Sequence, residues 1–175
     1  IIRMLDILDH DPDFTYMVEQ AAHLRALAQR RPDLLARIKR YVRQGRLEML
    51  GGNASLLETN IPNGECFVRN QAMGLDWTRQ NFGVQVKTGW LIDTFGLHAQ
   101  IPQILSQFGI TQLLANRFGG YIPVDRFEWQ GLDGTRIHVV GRDACAPRVD
   151  TDSIVFQMPN NWTRIDALFE TARKL

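Results

Sequence analysis

A carboxylate can react where a strand gives way to a loop, because strand ends are rigid and the loops beyond them are free to vary. Asp93 has that placement in Gly89-Trp90-Leu91-Ile92-Asp93-Thr94-Phe95-Gly96. Before it runs a β-type stretch, Val84-Gln85-Val86-Lys87-Thr88, and after it Ala99-Gln100-Ile101-Pro102-Gln103-Ile104-Leu105 reads as the opening of a helix. Asp also caps helices and builds turns, so position alone leaves two readings, a reacting carboxylate or a turn residue. Glu58 and Asn60, in the loop Asn53 to Asn63, either line the same cleft or decorate a surface loop. The histidines are His10, His23, His98 and His138, and the two cysteines are Cys66 and Cys145. Their spacing makes neither a disulfide framework nor a zinc motif. His10 lies in Asp9-His10-Asp11-Pro12-Asp13 and reads as a solvated turn histidine rather than a metal ligand.

The elements that must position these groups follow from periodicity and punctuation. Residues 1 to 10 read as the end of a helix. Phe14-Thr15-Tyr16 reads either as a short strand or as the first turn of a helix carrying Met17, Val18, Ala21, Leu24 and Ala28 inward. Pro32 opens a helix with the stripe Leu34, Leu35, Ile38, Tyr41 and Val42, closed by Gly45. Arg46 to Leu50 is a strand running into Gly51-Gly52, where glycines permit unusual backbone angles or close approach. Gly64-Glu65 opens a helix with Phe67, Val68, Ala72 and Leu75 inward, ended by Gly83. Ile101, Ile104, Leu105 and Phe108 stripe the next helix, and Ile110 to Ala115 is a strand with Asn116-Arg117 at its end. Phe127 to Gln130 and Thr135 to Val140 flank an Asp-Gly turn, so Asp133 belongs to a hairpin and not to catalysis. Residues 141 to 160 read as irregular, and Asn161 caps a last helix. Strands alternating with helices argue an α/β architecture with parallel strands and helices outside.

Bulk properties exclude several classes. Hydrophobic content of 45% with 22% charged residues is that of a globular chain rather than a disordered one. A net charge of +1 makes no case for a nucleic-acid or anionic-membrane partner. Arg30, Arg31, Arg37, Lys39, Arg40 and Arg43 lie in helical patterns and read as a solvated helix face. No apolar run is long enough to span a bilayer. The cysteine usage favours a reducing compartment, so a cytoplasmic location is expected, and a homo-oligomer is left open. The chain opens on Ile1-Ile2-Arg3-Met4 and closes on a helix without a terminator, so both ends read as cut.

Several ordered motifs carry a resemblance. GWLIDTFGLHAQIPQIL, which contains Asp93, resembles the nucleophile segment of glycoside hydrolase family 38, the zinc-dependent retaining α-mannosidases. RPDLLARIKRYVRQGRLEMLGG resembles that family's helix, Gly-Arg turn and Gly-Gly strand end. ETNIPNGECFVRNQAMG resembles its loop and helix with a Pro-x-Gly-Glu start, and FEWQGLDGTRIHVV its hairpin around Trp-x-Gly-x-Asp-Gly. The motifs cover about residues 1 to 140 and fade beyond them.

The resemblance implies an incomplete seven-stranded barrel from the N-terminal catalytic domain, acting on an α-mannoside or glycan. It implies Asp93 as both nucleophile and zinc ligand, Phe95 as an aromatic near the sugar, and Arg117 as a sugar contact. Read from the residues alone, Arg117 is equally a surface ion pair. Trp90 reads first as a buried strand tryptophan and second as a surface on which a sugar stacks. The family's His-x-Asp zinc pair and its later His find no match here, and His98 falls in a variable place, so the other zinc ligands are expected outside this chain. The acid/base is not identified, since none of Asp143, Asp150 and Asp152 fits its context. These 175 residues alone are therefore expected to be inactive. The competing expectations are a barrel carbohydrate deacetylase and a catalytically inactive relative.

Overall fold

Parallel strands cannot be joined by tight turns, and helices run between each of the first four strands here. The computed structural model describes residues 1–116 and 126–142. Helix α1 (Ile2–His10) leads to strand β1 (Tyr16–Gln20). Helices α2 (Ala21–Arg30) and α3 (Pro32–Arg43) then carry the chain to β2 (Leu47–Asn53), which pairs with β1 in parallel. Helix α4 (Gly64–Phe82) crosses to β3 (Thr88–Leu91), and α5 (Ile101–Gln107) crosses to β4 (Gln112–Asn116). Strands β5 (Arg126–Gln130) and β6 (Arg136–Arg142) form an antiparallel hairpin. Sheet order is β1-β2 in one group and β3-β4-β6-β5 in a four-stranded sheet, with β3, β4 and β6 mutually parallel. Strand β2 lies against β3. The result is a mixed α/β arrangement with parallel strands, all in the unit Ile1–Arg142.

Two apolar clusters hold these elements. One joins Leu5 and Leu8 of α1, Leu24 of α2, Ile38 of α3, and Leu47 and Met49 of β2. The other joins Leu91 of β3, Ile101 and Leu105 of α5, Leu113 of β4, and Ile137 and Val139 of β6. Helix α3 is set by Pro32 at its start and buries Leu34, Ile38 and Tyr41. At the start of α4 the Asn63 side chain accepts the Cys66 N–H at 2.9 Å, and Gly83 ends the helix at φ +69°.

Four expectations need correction. Met17 and Val18 lie on β1, where alternation buries Val18 and leaves Met17 exposed, so the helix starts only at Ala21. The strand before Asp93 is Thr88–Leu91, and Val84 to Lys87 precede it as irregular chain. Helix α4 buries Phe67, Gln71, Gly74 and Thr78, while Val68 and Ala72 face out. That polar and small stripe is required because α4 meets backbone: Gln71 Nε2 donates to the Gly51 carbonyl at 2.8 Å, and Gly74 abuts Gly52 and Asn53. Finally, β6 continues to Arg142, past the expected end at Val140. The expected helix after Asn161 lies outside the described residues.

Arg37 and Arg40 of α3, and Arg31 just before it, are engaged in ion pairs. Arg37 and Arg40 bridge to Asp9, Arg37 also reaches Asp6 at 3.1 Å, and Arg31 pairs with Asp33 at 2.7 Å. The Tyr41 hydroxyl donates to Asp9 as well. That hydroxyl first, and Arg37 and Arg40 after it, hold the Asp9 carboxyl below the ordinary carboxylate value. With a depressed folded-state value, the stabilisation is present above the ordinary value and is lost as pH falls through the depressed one. In Tyr41→Phe the Asp9 titration should move up toward the ordinary value and acid unfolding should begin at a higher pH. A carboxylate NMR titration with a parallel acid melt checks this, and an unmoved Asp9 would refute it.

Candidate functional site

Strand β3 sends alternate residues to opposite faces. Gly89 and Leu91 face the second apolar cluster, and a side chain at Gly89 would meet Leu113 at 3.1 Å and Leu105 at 3.2 Å. Trp90 faces the other way, half-buried, and a side chain at Gly51 would meet its Cβ at 3.2 Å. Past Leu91 the chain turns, and Asp93 adopts φ +70°. Among the described residues it is the one non-glycine residue with positive φ. Asp and Asn tolerate this region better than most residues, yet it still costs about 1 kcal/mol. The Asp93 side chain is exposed, Thr94 behind it is fully buried, and Phe95 stands 66% exposed. The peptide is thus anchored at Thr94 while its neighbours on both sides are offered to solvent.

A second loop fixes this turn. Residues 54–60 follow β2 and are tied down at their start, where Ala22 N–H donates to the Ala54 carbonyl at 2.8 Å and Ala54 N–H to the Asn70 carbonyl at 3.0 Å. The Asn70 side chain exchanges hydrogen bonds with Ser55, and Leu56 N–H donates to Gln20 Oε1 at 3.0 Å. Its far end grips the Asp93 turn. Thr94 Oγ1 donates to the Leu57 carbonyl at 3.2 Å, and Phe95 N–H points at the Glu58 carboxylate, 3.0 Å and 3.3 Å from its two oxygens. Thr59 Oγ1 donates to the Gly96 carbonyl at 2.8 Å and accepts from His98 N–H at 3.0 Å. A side chain at Gly96, which has φ +108°, would run into the Asn60 amide.

The expected site residues fare differently. Trp90 lies near the end of β3, and Asp93 and Phe95 lie in the turn that follows it. Arg117 lies outside the described residues. Glu58 and Asn60 adjoin the turn. His98 Nδ1 accepts from Gln100 N–H at 3.1 Å, a local turn role before α5. His10 Nδ1 bonds the Asp6 carbonyl at 2.7 Å at the end of α1. Asp133 accepts from Thr135 N–H and Oγ1, and the hydroxyl contact first of all holds its carboxyl below the ordinary value, as turn chemistry requires. The supporting roles of Thr59 and Thr94 were missed: both are ordinary loop residues in sequence, and nothing short of tertiary contact reveals that each crosses to the other loop.

Among the described residues no group of three or more His, Cys, Asp or Glu side chains converges. A catalytic zinc takes about three protein ligands, and the described residues do not supply such a set. No helix of the described residues is long and apolar enough to cross a membrane.

A profile of the glycosyl hydrolases family 38 N-terminal domain matches residues 1–174. The chain belongs to glycosyl hydrolase family 38. Among its family 38 relatives, Alpha-mannosidase 2C1 of Homo sapiens is 30% identical over 166 residues, covering 91% of this chain and 16% of that protein. The chain therefore spans only that 16% of the human relative's length. The crystal structure of an alpha-mannosidase from Enterococcus faecalis V583 superposes with TM-score 0.72 at 27% identity, over 80% of this chain and 16% of that one. A 4-alpha-glucanotransferase from Thermococcus litoralis superposes with TM-score 0.68 at 18% identity, over 81% of this chain and 23% of that one, a likeness of fold alone.

Proposed function

We propose that this chain is part of the catalytic domain of a retaining α-mannosidase, with Asp93 as its nucleophile. One observation carries the assignment: in a family 38 chain, a solvent-facing carboxylate sits on a left-handed backbone two residues past a parallel strand, clamped by a second loop. The parallel strands described here would be part of a seven-stranded barrel, with the loops after β2 and β3 on its reacting rim. The substrate is an α-mannoside or an α-mannose-bearing glycan.

The chemistry needs two carboxyl groups about 5–5.5 Å apart across the scissile bond. In the first step an Asp93 oxygen bonds the anomeric carbon while the bond to the leaving oxygen breaks. That oxygen takes a proton from the second carboxyl group, which this reading puts outside the described residues. Water then attacks the glycosyl ester, the second carboxylate takes its proton, and Asp93 leaves, so two inversions give retention. Phe95, exposed beside Asp93, would cover one face of the sugar, Arg117 would bind its hydroxyls, and the half-buried Trp90 would be the weaker stacking surface. Asp93 would also supply one ligand to a zinc ion, whose other ligands lie outside this chain; zinc supplies a positive charge that keeps a carboxylate ionised and holds hydroxyls in place.

The test is stereochemical. The full-length protein should hydrolyse an aryl α-mannoside, and proton NMR of the first product should show the α-anomer before mutarotation. A first product in the β-configuration, or no release of mannose, would overturn the proposal.

A further inference from the structure

We propose that Glu58 is a positioning residue for the nucleophile, holding the Asp93 turn through the Phe95 N–H. The inference rests on the reading of Asp93 as nucleophile, but its geometry stands apart from it. Both carboxylate oxygens of Glu58 face the one N–H, at 3.0 Å and 3.3 Å. A hydrogen bond to an ionised acceptor is about twice as strong as a neutral one, and the half-buried position of Glu58 shields it partly from water.

The backbone leaves this side chain little alternative. Its neighbours Leu57 and Thr59 are each 5% exposed. The Leu57 carbonyl accepts from Thr94, and the Thr59 hydroxyl binds Gly96 and His98, so the chain on either side of Glu58 is pinned to the turn it contacts. Residues 54–56 are anchored in turn to α2, α4 and β1. Asp93 is held in a sparsely populated backbone region, which persists only where surroundings over-determine it. Thr94 and Gly96 are held through hydroxyl contacts, and between them the Phe95 N–H is held by a charge. Removing that charge-assisted bond should let the turn relax at Phe95 and displace the Asp93 carboxylate from its line of attack.

The test compares Glu58→Gln with Glu58→Ala in the full-length protein. Gln keeps an oxygen that accepts from Phe95 N–H; Ala keeps none. Amide hydrogen exchange in a peptide spanning Phe95 should rise by about tenfold or more in Glu58→Ala and stay near the parent in Glu58→Gln. On an aryl α-mannoside, kcat should fall by about tenfold or more in Glu58→Ala with KM near the parent, and Glu58→Gln should recover most of it. Unchanged exchange in Glu58→Ala would overturn the positioning role whatever the activity. Loss of turnover in Glu58→Gln equal to that in Glu58→Ala, with exchange preserved, would overturn it too, because Glu58 would then act as a proton-transfer group. A parent without turnover would sink the α-mannosidase reading and leave the exchange comparison to decide the role of Glu58.

Discussion

Asp93→Asn in the full-length protein should lose turnover by at least about a thousandfold while its melting point stays with the parent. The fold should survive for two reasons. Asn matches Asp in size, and it is one of the few residues that tolerate the left-handed region in which position 93 sits at φ +70°. Alanine would be a poor control here, since it adds backbone strain to the loss of the carboxylate. The reaction should fail because an amide oxygen is too weak a nucleophile to form the glycosyl ester. On the proposed zinc site, metal retention should fall as well, since the amide no longer offers an anionic ligand. If Asp93 were only a turn residue, Asn would serve almost as well. Activity within about tenfold of the parent, a barrier change of only about 1.4 kcal/mol, would therefore end the nucleophile assignment.

The largest stability effect is expected at Gly74→Ala. In an ordinary helix interior this change stabilises by about 1 kcal/mol, because alanine has the better helix propensity. In α4 the sign should reverse. The Cβ of residue 74 would land on the backbone of Gly52, Asn53 and Ala54, all of it main chain that cannot rotate aside. Forcing atoms into such a contact should cost about 3 kcal/mol, read as a fall in the urea midpoint with the slope unchanged. Loop 54–60 begins at that contact, so the variant should also loosen the Asp93 turn. A neutral or stabilising alanine would mean that α4 does not rest directly on the end of β2.

The contrast between Gly74 and Asp93 shows what was legible in the chain. The Asp93 turn, the Pro32 helix and the Asp-Gly hairpin were readable because each is punctuated locally by residues with special backbone preferences. Parallel strands separated by helices were readable from alternation of pattern. The inward face of α4 was not, since propensity and hydropathy favour Val68 and Ala72 whereas close approach to β2 selects Gln71 and Gly74. Met17 and Val18 fit helical spacing by coincidence, and parallel pairing with β2 overrode it. The clamp between Glu58 and Phe95 joins residues 37 apart in sequence, and no periodicity encodes a contact of that kind. The family resemblance supplied a role for Asp93; it did not disclose what holds Asp93 in place.

The order of these parts along the chain has a consequence for biosynthesis. Gln20, Ala22 and Asn70, which tie down loop 54–60, all come before Asp93. A ribosome releases a chain from its N-terminus at about 5–20 residues per second, far slower than closure of a loop. The seat for the turn is thus made before the turn that occupies it, and Asp93 emerges toward a partner already synthesised. A variant in which residues 84–96 are synthesised before residues 1–83 would reverse that order, and would separate the folded architecture from the sequence of its assembly.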